Sequence, residues 1–119
     1  MADCISKQIN YIEWPAKDLS ATKTFFQEVF DWHFTDYGDQ YTAFSGDTVN
    51  GGFFHADKTS RPEQGAALVV LYSSQLEVTQ HEVERGGGQI TQPIFEFPGG
   101  RRFHFTEPSG NELAVWSDK

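Results

Sequence analysis

The sequence predicts an α+β fold made of two copies of a β-α-β-β-β unit. Three observations lead to this prediction: strand-like alternation followed by a helical stripe near the N-terminus, the same order of elements in the second half, and an aperiodic polar segment between them. We expect one domain over residues 1–119, with modules at about 7–55 and 66–118 and a linker at 56–65. The two modules should form a curved, partly open mixed sheet around a cleft, since each sheet needs a helix on its other face.

The first unit opens with a strand and a helix. Residues 7–14 alternate in polarity and end at Pro15, which has no N–H to give to a β-ladder. Asp18 is a favourable helix N-cap. The residues that follow carry apolar side chains at helical spacing, so a helix that packs on a sheet is predicted. Its stripe consists of Leu19, Thr22, Phe25, Phe26, Val29 and Phe30.

Three short strands complete the first unit, separated by turns that include Gly38-Asp39 and residues 45–47. These strands are expected at residues 32–37, 40–44 and 48–55. The last of them contains the pair Gly51-Gly52. Glycine inside a strand indicates a bulge or the close approach of another group.

The second unit repeats this order with weaker signals. Residues 66–72 are apolar and β-branched, which is typical of a buried strand. Ser74 and Glu77 match the S-x-x-E pattern of a capping box, and the glycines at 86–88 end the helix that follows. The remaining strands are expected at residues 89–97, 101–106 and 112–117.

The composition excludes several classes of partner. A net charge of −8 and a pI near 4.8 repel phosphate backbones, so we expect no nucleic acid and no anionic membrane as a partner. The single cysteine, Cys4, cannot form an internal disulfide, and no apolar run reaches the ~18 residues of a membrane span. The N-terminus lacks a signal-peptide pattern. A soluble, cytoplasmic protein is predicted.

Alternation also predicts which side chains face the cleft. If Ile12 and Trp14 enter the core, Tyr11 and Glu13 face the cleft. If Leu113 and Val115 are core residues of the last strand, the cleft side of that strand carries Glu112, Ala114 and Trp116.

The strand before the last adds Arg102 and His104 to the cleft, provided that Phe103 and Phe105 are core residues. The opposite phase is almost equally compatible with this stretch. An aromatic share of 15% predicts a core rich in phenylalanine, an aromatic-lined pocket, or both.

Each candidate has a structural and a functional interpretation. Glu13 either pairs with Arg101 or Arg102 at a strand end, or acts as a base with His104 as its acid or base partner. Tyr11 is either a wall residue or a group that orients a polar ligand atom. The residues that would stack on a planar or apolar ligand, unless they only fill the core, are Phe53, Phe54 and Trp116.

The chain resembles the vicinal oxygen chelate superfamily, the group of glyoxalases, bleomycin-resistance proteins and extradiol dioxygenases. Three stretches carry the resemblance. The first is residues 9–19, with the Asp18-Leu19 helix start, and the second is residues 25–32, from the Phe25-Phe26 pair to Trp32. The third is residues 105–113, Phe-Thr-Glu-Pro-Ser-Gly-Asn-Glu-Leu. It covers nearly the whole chain. What it implies is the paired β-α-β-β-β fold and a homodimer with its site at or near the interface.

Members that bind a divalent metal carry His or Glu ligands on strands one, four, five and eight. By position, the resemblance places these ligands at Tyr11, near residues 52–54, at Ala67 or Leu68, and at Ala114. None of these residues is His, Asp or Glu, so no metal and no other cofactor is expected. A metal site moved to His55, His104 or Glu13 is the alternative.

Two functions remain open at this stage. The first is a metal-independent protein of the bleomycin-resistance kind that binds a small organic molecule in an aromatic cleft. The alternative is a lyase, isomerase or dioxygenase of the glyoxalase superfamily with a non-standard site around Tyr11, Glu13 and His104. A dimeric α+β barrel of the ferredoxin type fits less well, because it leaves Asp18 and the residues 108–111 unexplained.

Overall fold

The computed structural model describes residues 4–46 and 48–119, which form eight strands, two α-helices and one short 3₁₀ turn. In chain order the elements are β1 (Tyr11–Ala16), α1 (Leu19–Phe30), β2 (His33–Asp36), β3 (Tyr41–Ser45), β4 (Asn50–His55), the 3₁₀ turn (Pro62–Gln64), β5 (Val69–Tyr72), α2 (Leu76–Arg85), β6 (Gln89–Phe97), β7 (Gly100–Thr106) and β8 (Glu112–Ser117).

The strands form two four-stranded mixed sheets with the same internal order. Sheet A runs β1-β4-β3-β2 and sheet B runs β5-β8-β7-β6. In each sheet the first strand pairs in parallel with the fourth, and the other pairs are antiparallel. The α+β class and the two β-α-β-β-β modules are therefore confirmed, and neither sheet closes on itself.

Both helices lie between the two sheets. Phe26 of α1 stacks on Phe53 of β4, with ring centroids 5.4 Å apart. Phe25, on the same helix, contacts Phe105 of β7 at 5.8 Å. Core side chains of both modules therefore belong to one hydrophobic cluster. The modules pack back to back, so the faces of the sheets that carry no helix point away from each other within one chain.

A buried carboxylate joins the two modules. Glu107, in the turn between β7 and β8, accepts hydrogen bonds from the Thr22 hydroxyl of α1 (2.6 Å), the Ser109 backbone N–H and the Asn111 side-chain amide. The same amide donates to the carbonyl oxygen of Pro15 at 2.7 Å. The stretch that resembles a family motif at residues 105–113 thus connects β1 and α1 of the first module to the second.

Pro15 lies within β1 and does not end it, so that prediction was wrong. Because β1 is the edge strand of sheet A, one side of its backbone has no ladder partner, and a missing N–H is tolerated there. The strand itself begins at Tyr11 and not at residue 7.

The capping box predicted at Ser74 and Glu77 is also wrong. Helix α2 has Gln75 as its N-cap, without a side-chain cap hydrogen bond. The Ser73 hydroxyl instead accepts from the backbone N–H of Gln75 and pairs with the hydroxyl of Thr79. By contrast, Asp18 caps α1 as predicted, since its carboxylate accepts from the backbone N–H of Ala21.

The other boundaries differ by a few residues. Strands β4 and β5 begin at Asn50 and Val69, later than predicted. The predicted turn at 45–47 includes Asp47, which lies outside the described residues. Residues 56–65 are docked on β8 through Ser60, whose backbone pairs with Asn111 and Glu112. Within the described part of the chain, neither helix is long and apolar enough to cross a membrane.

Candidate functional site

The outer face of sheet B, the face without a helix, combines aromatic and charged side chains. Phe103 and Phe105 of β7 are fully buried toward α2, so Arg102 and His104 point outward. In β8 the same alternation turns Glu112, Ala114 and Trp116 outward, because Leu113 and Val115 are buried. Four residues predicted for the site therefore share one surface: Arg102, His104, Glu112 and Trp116.

Arg102 is held between two phenylalanine rings. Its guanidinium carbon lies 5.3 Å from the ring centroid of Phe95 and 5.5 Å from that of Phe97, both on β6. Its Nε atom is buried and has no hydrogen-bond partner, and no ion pair joins Arg102 to any of the described residues. Trp116 lies opposite Arg102 in the β7–β8 register and packs edge-on against Tyr72.

His104 pairs with Glu112 farther along the same face. The Nδ1 atom of His104 lies 3.4 Å from a carboxylate oxygen of Glu112, and Arg61 approaches the other oxygen at 3.4 Å. The Nε2 atom of His104 is buried and has no hydrogen-bond partner among the residues that the structure describes. If His104 is neutral and donates from Nδ1 to Glu112, the lone pair lies on Nε2, where an acid–base residue needs it.

The outer face of sheet A carries a hydrogen-bonded chain of three side chains. The hydroxyl oxygens of Tyr11 and Tyr41 are 2.6 Å apart, and the Tyr41 hydroxyl donates to Glu13 at 2.8 Å. Burial, together with the hydrogen bonds to Tyr11 and Glu13, raises the pKa of Tyr41 well above its usual range. Tyr41 is therefore a neutral donor at physiological pH, and Glu13 is its acceptor.

A glycine in β4 makes room for these three hydrogen-bonded side chains. A Cβ atom on Gly52 would lie 2.1 Å from the Tyr41 hydroxyl, so only glycine lets the Tyr41 ring cross the strand. Phe54 lies on the same face as Gly52 and is partly exposed. Phe53 lies on the other face, fully buried against Trp14 and Phe26, so the structure gives it a core position.

The structure does not bring all of the predicted site residues together. Tyr11, Glu13 and Phe54 belong to the outer face of sheet A, whereas Arg102, His104, Glu112 and Trp116 belong to that of sheet B. Within one chain, the partner of His104 is Glu112, and Glu13 pairs with Tyr41. The predicted pairing of Glu13 with His104 is therefore absent from the single described chain.

Sequence reasoning missed four participants: Tyr41, Arg61, Phe95 and Phe97. Alternation in β3 could have found Tyr41, because Thr42 and Phe44 point inward and leave Tyr41 on the outer face. The phase of β6 was hidden, since its pairing with β7 is irregular between Ile90 and Phe95. Arg61 lies in the linker, where no periodicity exists.

The donor set of a metal site of the family kind is missing from the positions where the resemblance places it. The Tyr11 hydroxyl is engaged by Tyr41, and Gly52, Leu68 and Ala114 offer no side-chain donor atom. In residues 4–46 and 48–119, no three His, Cys, Asp or Glu side chains lie close enough to hold a metal ion. These residues do not fit the superfamily's divalent metal.

A second concave region lies on the core side of the sheets. It is a cavity of about 780 Å³ between β1 and β5. Its lining includes Ile12, Trp14, Trp32 and Leu71. These side chains lie on the opposite side of the sheets from Tyr11 and Trp116, but the lining also includes Val70 and Tyr72, so the cavity extends to the edge strand β5 next to the outer face of sheet B.

The comparison with protein families agrees with the topology and with the residue patterns. The family model described as "Glyoxalase/Bleomycin resistance protein/Dioxygenase superfamily" matches residues 8–115. That match covers most of the chain and both modules. The chain belongs to this superfamily.

Individual relatives are more distant. "Putative glyoxylase CFP32" of Mycobacterium tuberculosis is 25% identical over 118 residues, which is 90% of this chain. The chain spans only 44% of that protein's length. A glyoxalase/bleomycin resistance protein/dioxygenase family enzyme from Burkholderia phytofirmans superposes with a TM-score of 0.79 at 12% identity, covering 92% of this chain and 98% of the other. Lactoylglutathione lyase from Agrobacterium tumefaciens gives 0.71 at 17%, with 93% of each chain covered. At these identities the structural likenesses establish the fold alone.

Proposed function

We propose that this protein binds a small organic molecule on the outer faces of its sheets without using a metal ion. The observation that carries the proposal is the surface of sheet B, where Phe95, Phe97 and Trp116 surround Arg102, which has no carboxylate partner in residues 4–46 and 48–119. Aromatic walls with a few convergent polar groups are the usual lining of a small-molecule site. Tyr72 extends this wall, and half of its surface is exposed.

A second copy of the chain would complete the site. In one chain the helices cover only the inner face of each sheet, and each sheet ends in an edge strand, β1 or β5, with one unpaired backbone side. Large apolar side chains are exposed on or next to these edges: Ile9, Tyr11, Val70 and Tyr72. We infer a homodimer in which sheet A of one chain covers sheet B of the other. This arrangement would place Glu13 across the cleft from the partner subunit's face.

The binding test is a thermal-shift screen of small organic molecules against the wild type and Trp116→Ala. We expect ligands that raise the melting temperature of the wild type and lose that effect in Trp116→Ala. The matched control is Trp32→Phe, because Trp32 lies on the core side of sheet A. Ligands whose effect survives in Trp116→Ala but disappears in Trp32→Phe would refute the assignment to the outer face.

The metal-free part of the proposal has its own test. Elemental analysis of the purified, dialysed protein should find less than stoichiometric Zn, Ni, Fe and Mn. A stoichiometric metal that survives dialysis would contradict it. A reducing, cytoplasmic setting also stays a prediction, and its support is the single cysteine of the chain.

A second candidate function is acid–base catalysis by the pair His104 and Glu112. It is favoured by the 3.4 Å approach of the two side chains and by the buried, unpartnered Nε2 of His104. A lyase, an isomerase or a dioxygenase of the superfamily would fit this class. The test is turnover of lactoylglutathione, a compound suggested by the name of one structural relative. We expect His104→Asn and Glu112→Gln each to abolish any turnover that the wild type shows, and turnover that survives both changes would refute this candidate.

A further inference from the structure

We propose that the ligand is a planar organic carboxylate whose single negative charge pairs with Arg102. This inference rests on the proposed function, since it assigns a chemical class to the molecule bound on the outer face of sheet B. The carboxylate would meet the guanidinium of Arg102, and the planar body would lie along Trp116 and Phe95.

Arg102 has no ion-pair partner among the described residues. The chain has 17 acidic and 9 basic residues, so carboxylates for ion pairs are plentiful. The neighbouring Arg101 pairs with Glu77, and Arg61 pairs with Glu63 and Glu112. Arg102 pairs with none of the described residues, although it lies on the same face as Glu112. Its charge remains available to a bound anion.

Only part of the Arg102 guanidinium can reach a ligand, because its Nε–H is buried. This nitrogen is shielded from solvent and has no hydrogen-bond partner in the described structure. A carboxylate would therefore pair with the two terminal nitrogens of Arg102 in the planar bidentate geometry.

The guanidinium of Arg102 is held in place by the protein before any ligand binds. Phe95 and Phe97 hold it at 5.3 and 5.5 Å by cation–π contacts. The side chain therefore loses little conformational freedom when a ligand binds.

The charged side chains on this face favour a ligand with a single negative charge. Arg61 is already paired with Glu63 and Glu112, so Arg102 carries the only arginine charge without a carboxylate partner among the groups named on this face. Glu112 and the net charge of −8 disfavour a second negative charge nearby. A carboxylate fits this balance better than a phosphate dianion does.

The aromatic rings next to Arg102 favour a flat ligand. Trp116 lies across from Arg102, 5.2 Å from the ring of Tyr72 and 6.3 Å from that of Phe97. Ala114, the next residue of β8 on this side, is fully buried, so the accessible strip beside Arg102 is formed by the rings of Trp116, Tyr72 and Phe97. A flat apolar group can pack along this strip while its carboxylate reaches Arg102.

The test compares two probes of the same shape. The probes are 1-naphthoate and 1-naphthamide, which differ only in whether the polar group is charged. Their affinities are measured by calorimetric titration. We expect the wild type to bind naphthoate roughly tenfold more tightly, which corresponds to about 1.4 kcal/mol for one charged pair. Arg102→Gln should remove that preference, and Arg102→Lys should retain part of it. The control Arg101→Gln, which changes a surface arginine of the same strand, should leave the preference unchanged.

Three outcomes would overturn the inference, and they differ in whether the proposed small-molecule function fails with it. Equal affinity of the wild type for both probes would refute the anion site and leave the proposed small-molecule function intact. A preference for naphthoate that persists in Arg102→Gln would refute the assignment to Arg102. Failure of both probes to bind at millimolar concentration would refute the inference together with the proposed planar-ligand site on sheet B.

Discussion

At the scale of single residues, Glu107 is the buried group on which the contact between the modules depends. It is 2% exposed, and its two carboxylate oxygens receive hydrogen bonds from Thr22, Ser109 and Asn111. We predict that Glu107→Ala lowers the free energy of unfolding by about 3 kcal/mol, because several buried donors lose their acceptor. Urea denaturation measures this change. Glu84→Ala, an exposed substitution on α2, should change it by less than about 0.5 kcal/mol.

The pH dependence of stability should also reflect Glu107. Burial raises the pKa of its carboxyl above the usual range, although the hydrogen bonds from Thr22, Ser109 and Asn111 act in the opposite direction. Between the unfolded and the folded pKa, the folded state binds more protons than the unfolded state. Its contribution to stability is therefore fully present below the unfolded pKa and is lost as the pH rises through the folded pKa.

The measurement is urea denaturation across the acidic and neutral pH range for the wild type and Glu107→Gln. We expect the difference in unfolding free energy between the two proteins to favour the wild type most at the acidic end. A difference that grows with rising pH would mean that the pKa of Glu107 is lowered in the folded protein.

Single residues were predictable where strand alternation was regular. The outward placement of Tyr11, Glu13, Glu112 and Trp116 follows from period two alone. The hydrogen-bond partners could not be predicted in this way. Glu13 of β1 reaches Tyr41 of β3 across β4, and alternation within one strand does not reveal the register between strands. For the same reason, Glu112 was not identified as the partner of His104.

At the scale of elements, the two glycines of β4 test how the faces of sheet A are used. A Cβ on Gly51 would lie 2.2 Å from the Ile12 carbonyl oxygen and 2.4 Å from the Phe44 ring. We predict that Gly51→Ala costs about 3 kcal/mol, since the backbone of β1 must move. Gly52→Ala should cost about 1 kcal/mol, because Tyr41 can swing away.

Urea denaturation compares the two variants, and tyrosine absorbance at high pH gives a second readout. In Gly52→Ala the displaced Tyr41 should titrate at a lower pH than in the wild type, since it loses the burial and the hydrogen bonds that raise its pKa. Equal destabilisation by both substitutions, with unchanged tyrosine titration, would contradict the role assigned to Gly52.

Element identity was more predictable than element boundaries. The stripe of α1 and the glycines after α2 were strong signals, and both helices form where they were expected. Pro15 and the Ser74–Glu77 pattern were misleading for a physical reason. Local rules for proline and capping boxes are overruled when the segment is an edge strand or when a neighbouring residue such as Ser73 provides the turn hydrogen bond.

At the scale of the whole molecule, the back-to-back packing makes a homodimer the natural way to enclose a cleft. We predict that the protein sediments as a dimer at micromolar concentration and that Val70→Lys yields a monomer. Val70 lies on the edge strand β5 and is 40% exposed. The matched control is Val78→Lys on α2, which is also exposed and should leave the dimer intact. A wild type that sediments as a monomer would contradict the completed cleft.

The relative placement of the modules could not be predicted from the sequence. Two repeated units can pack with their helices outside, around an internal cleft, or with their helices between the sheets. The choice depends on contacts between distant residues, such as Phe25 with Phe105 and Thr22 with Glu107. Neither contact leaves a periodic signal. That Tyr11, Glu13, Glu112 and Trp116 line a binding cleft stays a prediction, and the sequence could not indicate that a single chain leaves these residues on two separate surfaces.

The most direct test of the account uses the three tryptophans as internal reporters. Trp116 lies on the outer face of sheet B, whereas Trp14 and Trp32 line the cavity on the core side. In protein labelled with 5-fluorotryptophan, fluorine NMR during titration with 1-naphthoate should shift the Trp116 resonance and leave the Trp14 and Trp32 resonances unchanged. A shift of Trp14 or Trp32 with Trp116 unmoved would place the ligand in the core-side cavity and contradict binding on the outer face.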